Sequence, residues 1–211
     1  MIIAVDGLTA SGKGTVAKRL AARYGLRRLD TGALYRAVGL AVLDAGGAPD
    51  DEAAAVAAAE ALDLEAIDEN RIRSAAAGMS ASKVAVIPAV RAVLRKAQRA
   101  FAADPAGAVL DGRDIGTVIC PDADVKLFVT ASLAERTRRR LTELDARGET
   151  VSFADLERQI AERDQRDMSR VDSPLRPASD AHLLDTTDLS IEAAAEAAYR
   201  IVDAALARSG A

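Results

Sequence analysis

Hydrophobic residues follow two spacings along this chain, and their alternation predicts a sheet with helices. Short apolar runs typical of buried strands occur at residues 1–6, 108–110, 125–129 and 183–184. Between them lie long segments rich in alanine, leucine and charged residues, with apolar positions at helical spacing. Strands that alternate with helices are typical of a parallel sheet, so the predicted fold class is α/β.

Two segments interrupt this alternation and are predicted to be insertions in one compact body. Residues 36–91 have helical spacing and few strand formers, with a helix start predicted at Asp50-Asp51-Glu52. Residues 139–170 contain two charged helices that are separated near Gly148. The core is therefore assigned to residues 1–35, 92–138 and 171–211, and it ends in a helix that Ser190 is expected to cap.

Composition narrows the function classes. The chain has 211 residues, which suits one domain with insertions, and a net charge of -4, which disfavours a protein that binds nucleic-acid polymers. Aromatic residues make up only 3% of the chain, too few for base-stacking surfaces. There is one cysteine, no secretory pattern and no uncharged apolar run of membrane-spanning length. We expect a cytoplasmic monomer with no membrane contact.

A glycine-rich segment joins the first predicted strand to the first predicted helix, which is the setting of a phosphate-binding P-loop. Its glycines allow backbone N–H groups to point at a phosphate, the helix dipole adds positive charge, and lysine adds a mobile cation. A dinucleotide fingerprint also fits residues 12–17, but it does not begin at the strand end. The predicted nucleotide-binding residues are Gly7, Leu8, Thr9, Ala10, Ser11, Gly12, Lys13, Gly14 and Thr15.

The P-loop departs from the general pattern at Gly14, where most P-loops place a hydroxyl that binds Mg²⁺. Thr15 provides a hydroxyl one position late, so we expect water and nucleotide oxygens to be the main Mg²⁺ ligands. Asp111, at a strand end, is a candidate for organising Mg²⁺ through water, and a turn or cap role is an equal alternative.

Other residues point to a second anionic substrate. The only asparagine, Asn70, precedes Arg71, so the guanine-reading segment of a GTPase is not present. Arg36 and Arg113 instead stand near glycine and aspartate in loops that suit phosphate binding. His182 stands beside a predicted strand and Cys120 precedes Pro121, and both are expected to be structural.

Several motifs together resemble the bacterial cytidylate kinases, a family of P-loop nucleoside monophosphate kinases. The similarity lies in the Gly-Lys-Gly-Thr of the P-loop and in residues 29–36, 110–117, 162–167 and 181–186, and it spans nearly the whole chain. The resemblance implies a three-layer fold with a central parallel sheet, a monophosphate-binding insertion and a small lid. A small sheet that long insertions carry in this family is not expected at residues 62–80, which are short and alanine-rich.

The resemblance also implies the activity and the residue roles. It implies transfer of the ATP γ-phosphoryl group to CMP or dCMP, with Mg²⁺. At matching positions it implies that cytosine is recognised by Ser82, Arg91 and Asp114. It further implies that the monophosphate and its sugar are bound by Thr31, Arg36, Arg113, Arg163, Asp167 and Arg170.

Helical spacing in the predicted lid extends an apolar stripe, Phe153, Leu156 and Ile160, toward the charged residues Arg163, Asp167 and Arg170. A solvated charged face is the alternative interpretation. With two arginines of the preceding helix, this face is expected to close over the transferring phosphates and exclude water. The predicted catalytic residues are Lys13, Arg113, Arg139, Arg140 and Arg163.

Two other functions remain open from the residues alone. Another small P-loop kinase, acting on UMP or a non-nucleotide acceptor, has the same loop and similar arginines. A regulatory protein that holds ATP without transferring phosphate is the alternative from a different class.

Overall fold

The computed structural model describes residues 1–64 and 66–209 and contains a five-stranded sheet flanked by helices. The strands are β1 (Ile2–Gly7), β2 (Arg27–Asp30), β3 (Ala108–Gly112), β4 (Val125–Thr130) and β5 (His182–Asp185). Their order is β2-β3-β1-β4-β5, with β1 parallel to β3 and β4, and β4 parallel to β5. The predicted α/β class is confirmed. Glu65, Gly210 and Ala211, which belong to the predicted insertion and core, lie outside the described residues.

The helices begin largely where the sequence provides a capping side chain. The Asp51, Ser152 and Ser190 side chains each accept a backbone N–H three residues on, at 3.1 Å. The predicted helix starts at Asp51 and Ser190 are therefore confirmed. The helices are α1 (Lys13–Tyr24), α2 (Thr31–Asp44), α3 (Glu52–Glu60), α4 (Ala75–Val84), α5 (Pro88–Ala102), α6 (Leu133–Asp145), α7 (Phe153–Met168) and α8 (Ile191–Ser209).

The chain divides into two compact units. The first combines Met1–Arg28 with the chain from Pro105 onward. Its main core lies where α1 and α8 pack on each other and on the sheet, and it buries apolar side chains from all three. Fully or almost fully buried members are Ile3, Val5, Leu20, Leu127 and Val202.

The second unit, Leu29–Asp104, begins with the last two residues of β2 and is otherwise built from helices and the segments that join them. Helix α2 packs on α3 and α4, and α3 packs on α5. The α2–α4 contact is close because a Cβ on Gly39 would lie 2.4 Å from the Ser80 Oγ. The described residues of 62–80 form a 3-10 turn (Arg71–Arg73) and the start of α4, with no strand among them, as the sequence predicts.

One strand was not predicted. β2 contains two arginines and an aspartate around the single apolar residue Leu29, and it lies at the sheet edge. An edge strand needs no continuous apolar run, so hydrophobic patterning does not reveal it.

In the described part of the chain, no single helix has the length and apolarity to cross a membrane. Only a pair bent by 102°, Ala76–Val84 with Pro88–Ala102, meets that criterion jointly, by length and composition.

Candidate active site

The P-loop leaves β1 at a point where only glycine fits. A Cβ on Gly7, whose φ is +156°, would lie 2.1 Å from the Val129 carbonyl oxygen of β4. The loop then turns through two left-handed residues, Ala10 (φ 58°) and Gly12 (φ 84°), before α1 begins. The predicted strand–loop–helix arrangement is confirmed.

The start of α1 provides an environment suited to an anion. Lys13 is its first helical residue, and its first turn contains no acidic residue. Unpaired N–H groups and the helix dipole make such an end electropositive. Gly14 is partly exposed and Thr15 is exposed on this first turn. The loop can therefore bind phosphate through its backbone and Lys13.

Arg113 connects this loop to α7 within the first unit. Its Nη2 donates to the Thr9 Oγ1 at 3.0 Å, and its Nε donates to the Asp167 Oδ2 at 2.9 Å. Its Nη1 donates to the Gly112 carbonyl at 3.2 Å. Three bonds from a planar guanidinium fix its orientation. The structure thus brings predicted P-loop, acceptor and lid residues into one network.

Asp167 is the anion that holds the arginines of this network together. Its side chain is 4% exposed and also pairs with the Arg170 guanidinium at 2.5 Å. Burial acts to raise the pKa of Asp167, but the charges of Arg113 and Arg170 outweigh it and hold the pKa below its usual range. Asp167 is therefore ionised near neutral pH and holds both arginines in place.

The face of α7 differs in detail from the predicted stripe. Leu156 and Ile160 are buried, but Phe153 is 37% exposed and Asp164, rather than Arg163, takes the next buried position. Arg170 lies beyond the end of α7 at Met168. Adjacent helical residues differ by only about 100° in direction, so spacing alone does not choose between 163 and 164.

The two predicted arginines of α6 have different surroundings. Arg139 donates from Nη1 to the Thr186 Oγ1 at 2.9 Å and lies over the P-loop, 3.6 Å from a Cβ placed on Gly12. Arg140 instead pairs with Glu143 on its own helix at 2.8 Å. Thr186 was not predicted as a site residue, yet its hydroxyl also donates to the Ser11 carbonyl at 3.0 Å.

A buried carboxylate that sequence analysis missed anchors the loop containing Asp114. Asp6 follows the four apolar residues of β1 and directly precedes Gly7. Its carboxylate accepts the Ile115 and Gly116 N–H groups at 2.8 Å each. These residues open a π-helical turn, Ile115–Ile119. Burial raises the pKa of Asp6 to about 7, although the two N–H donors act in the opposite direction. A charged residue inside an otherwise apolar strand was the available signal.

Asp111 is buried beside the P-loop and accepts two bonds from Arg28, from Nε at 3.0 Å and Nη2 at 2.8 Å. Its other oxygen would lie 3.8 Å from a Cβ on Gly14. The described residues contain no cluster of three metal-ligating side chains. A single carboxylate beside a phosphate loop fits Mg²⁺, which keeps several waters and binds through few protein oxygens.

The second unit contains the remaining predicted substrate residues. Thr31 is buried at the start of α2, where Asp30 accepts the Ala33 N–H and pairs with Arg36 at 2.7 Å. Arg91 is 5% exposed on α5, unusual for arginine in a helical core. Ser82 is part-buried on α4 and bonds back to the Gly78 carbonyl.

Similarity to known proteins agrees with this site. A family sequence model described as cytidylate kinase matches residues 3–204. Proteins named cytidylate kinase from Brucella suis biovar 1 and Brucella abortus are each 58% identical over 98% of this chain and 94% of the relative. An uncharacterised protein from Eubacterium ventriosum has a similar fold, with a TM-score of 0.56, 14% identity, and coverage of 96% of this chain and 98% of that one. The P-loop, the DGRDIGT segment and this similarity agree, and the chain belongs to the cytidylate kinase family.

Proposed function

We propose that the protein transfers the γ-phosphoryl group of ATP to CMP or dCMP, giving ADP and CDP or dCDP. Family membership supports the reaction and its substrates. The observation that carries the proposal at the site is Arg113, which bonds to the P-loop at Thr9 and to Asp167 of α7. A cation fixed between these elements suits a donor and an acceptor phosphate that meet there.

The chemistry requires positioning more than proton transfer. An oxygen of the acceptor phosphate bonds to the γ-phosphorus while the bond from that phosphorus to the β–γ bridging oxygen breaks and ADP leaves. The acceptor phosphate has a second pKa of about 6, so its oxygens are anionic near neutral pH. No general base is needed, and the protein contributes orientation and neutralising charge.

The proposal assigns the donor site to the P-loop. The backbone of residues 7–15 and the Lys13 ammonium bind the ATP phosphates. Arg139, over Gly12, stabilises charge that develops during transfer. Arg140 and Arg163 are proposed to join it when phosphates are bound. Enclosure by these arginines excludes water and limits ATP hydrolysis.

The acceptor residues are assigned for each unit by itself. In the first unit, Arg113, Arg163, Asp167 and Arg170 are proposed to bind the monophosphate and sugar, and Asp114 to contact cytosine. In the second unit, we assign phosphate and sugar contacts to Thr31 and Arg36. Cytosine recognition there is assigned to Ser82 and Arg91, whose hydrogen bonds replace the stacking that scarce aromatics cannot supply.

Mg²⁺ is proposed as the metal, with Asp111 holding one of its waters. When bound, Mg²⁺ neutralises phosphate charge and orients the phosphates for in-line transfer. Arg28 fixes the Asp111 carboxylate by two bonds to the same oxygen. We also propose that the protein is a cytoplasmic monomer that binds no nucleic-acid polymer and no membrane.

A panel assay tests the reaction. Purified protein with ATP and Mg²⁺ is given CMP, dCMP, UMP or AMP, and nucleotide products are separated and quantified. CDP and dCDP are expected, with ADP formation strictly dependent on an acceptor. A preference for UMP would indicate another small P-loop kinase. ATP binding without ADP release from any of the four would indicate a regulatory protein or a kinase for a non-nucleotide acceptor.

Arg91→Met tests the base assignment. Loss of a buried guanidinium is expected to lower kcat/KM for CMP by about 100-fold while ATP affinity changes little. Arg99→Met, on the exposed side of the same helix, is the matched control. Equal loss of CMP use and ATP binding would contradict the assigned role.

A further inference from the structure

The N–H, carbonyl and hydroxyl groups of one P-loop residue, Thr9, are all hydrogen-bonded to other elements of the first unit. The Thr9 N–H donates to the Asp164 Oδ1 of α7 at 3.1 Å. Its carbonyl accepts from the Arg136 Nη1 of α6 at 3.1 Å, and its hydroxyl accepts from Arg113. Thr9 is therefore bonded to both helices of the predicted lid and to the DGRD segment.

Two of these partners form a buried ion pair. Arg136 Nη1 bonds directly to the Asp164 Oδ2, and each residue is 5% exposed. Arg136 Nε also donates to the Ala131 carbonyl at 2.9 Å, just before α6 begins. Charges removed from water need excellent geometry and further hydrogen bonds. Here those further bonds are made to the backbone of the P-loop and of the segment that leads into α6.

Asp164 is also one turn from the acceptor-binding part of α7. Asp167, three residues on, lies on the same buried face and holds Arg113 and Arg170. One turn of α7 thus fixes the loop assigned to the donor and the arginines assigned to the acceptor. A shift of α7 would move both sets of contacts.

The bond to Thr9 also fixes one backbone N–H group of the P-loop. An N–H that donates to the Asp164 carboxylate is committed to the protein. Within the loop, the Ser11 N–H also donates to the protein, to the Leu8 carbonyl at 3.4 Å. The carboxylate therefore sets the orientation of the first peptide of the cradle.

We infer that Arg136 and Asp164 are positioning residues for phosphoryl transfer, because they fix the P-loop at Thr9 relative to the two arginines, Arg113 and Arg170, that Asp167 of α7 holds. They touch neither substrate in this role and act by aligning donor and acceptor phosphates. This inference rests on the proposed function. Because alignment errors near 1 Å cost about 100-fold in rate, a small displacement is enough to produce a large kinetic effect.

Substitutions at Asp164 and Arg136, with a control at Arg158, separate an effect on alignment from an effect on folding. Asp164→Asn keeps an oxygen for the Thr9 N–H but removes the charge opposite Arg136. Arg136→Met removes both donors, and the double variant avoids leaving a buried unpaired charge. Arg158→Met removes an exposed ion pair of α7 with Asp155 and is the matched control. Urea unfolding identifies conditions in which each variant is fully folded.

The readout is a split between turnover and binding. In the folded double variant, kcat is expected to fall about 100-fold while the dissociation constants for CMP and an ATP analogue stay within about threefold. Asp164→Asn is expected to lower kcat less than the double variant does, again with little change in binding. Arg136→Lys, which keeps the charge, is expected to retain a higher kcat than Arg136→Met. Arg158→Met is expected to match the wild type.

Two results would overturn the inference. One is a kcat near that of the wild type in folded Asp164→Asn and in the double variant. The other is loss of turnover matched by equal loss of nucleotide binding. Failure of the proposed function is distinct, because it would appear in the wild type as absence of CDP. The variants are then compared in whichever phosphoryl transfer the wild type performs.

Discussion

The P-loop and the α6–α7 helix pair are built in different ways, although they meet at Thr9. The loop holds its shape through its backbone, with Gly7 against a β4 carbonyl and left-handed residues at positions 10 and 12. The helix pair has a small apolar cluster of Leu144, Leu156 and Ile160, and then relies on charged side chains. Arginine–carboxylate pairs occupy the positions nearest the loop.

The difference determines what each region tolerates. A backbone-built loop depends on few positions, but at those positions the residue type is strictly limited. A region ordered by ion pairs depends on complementary charge and geometry at every pair. A substitution in the loop therefore tests one residue, whereas a substitution in the helices tests an ion pair and so affects two residues.

Lys13→Met is expected to have the largest effect. Removing the one cation of the loop takes charge from the transferring phosphates, so kcat/KM is expected to fall about 100- to 1,000-fold. Steady-state kinetics with ATP and CMP measure it. Lys18→Met, exposed on the same helix, is the control and is expected to be near wild type. A loss below about tenfold would show that the backbone alone provides the cradle.

Gly7→Ala tests whether the loop depends on a single backbone contact. The added Cβ would lie 2.1 Å from the Val129 oxygen, and its displacement is expected to cost about 3 kcal/mol in the free energy of unfolding. Gly25→Ala, at φ +65° with open space around it, isolates backbone strain at about 1 kcal/mol. Urea unfolding gives both values, and equal losses would contradict a packing origin.

Arg113→Lys tests whether the region ordered by ion pairs depends on side-chain geometry as well as on charge. Lysine keeps the charge but loses the fixed fork that bonds to both Thr9 and Asp167, so kcat is expected to fall about tenfold. Kinetics under CMP saturation measure the change. Arg19→Lys, in an exposed pair with Glu192, controls for the substitution itself. An unchanged kcat would mean that charge alone suffices.

Asp6→Asn tests a buried side chain at the start of the loop, through pH. Because the folded pKa, about 7, is above the ordinary value of 3.8, the folded protein binds the proton more tightly. Asp6 therefore lowers stability progressively as pH rises from about 4 to about 7. At pH 4 the asparagine is expected to cost about 1 kcal/mol, because its NH₂ meets a backbone donor.

The measurement for Asp6 is urea unfolding of both proteins across that pH range. The stability advantage of the wild type over Asp6→Asn is expected to shrink and then reverse as the pH rises from 4 to 7. Curves that stay parallel would contradict the raised pKa.

How far the sequence predicts the molecule depends on the same difference. The strand, glycine spacing, lysine and helix of the P-loop are local in sequence, so they were predictable together. The roles of Asp164 and Arg136 depend on hydrogen bonds to Thr9, which is 155 and 127 residues away in the sequence, so local patterns do not predict them. Residues 163 and 164 point in similar directions from a helix, so helical spacing favoured Arg163 where the structure buries Asp164. β2 escaped prediction because an edge strand needs only one apolar residue.

Three successive carbonyls at the end of β4 each accept a hydrogen bond from a different element. Val129 accepts the Leu8 N–H at 3.3 Å, Thr130 accepts the Thr186 N–H at 2.9 Å, and Ala131 accepts Arg136 Nε. An insertion of one residue there would rotate the next carbonyl to the opposite side of the strand. By contrast, Gly148, between α6 and α7, has open space around it. Natural length variation and engineered tags are therefore expected near Gly148 and excluded from residues 129–131.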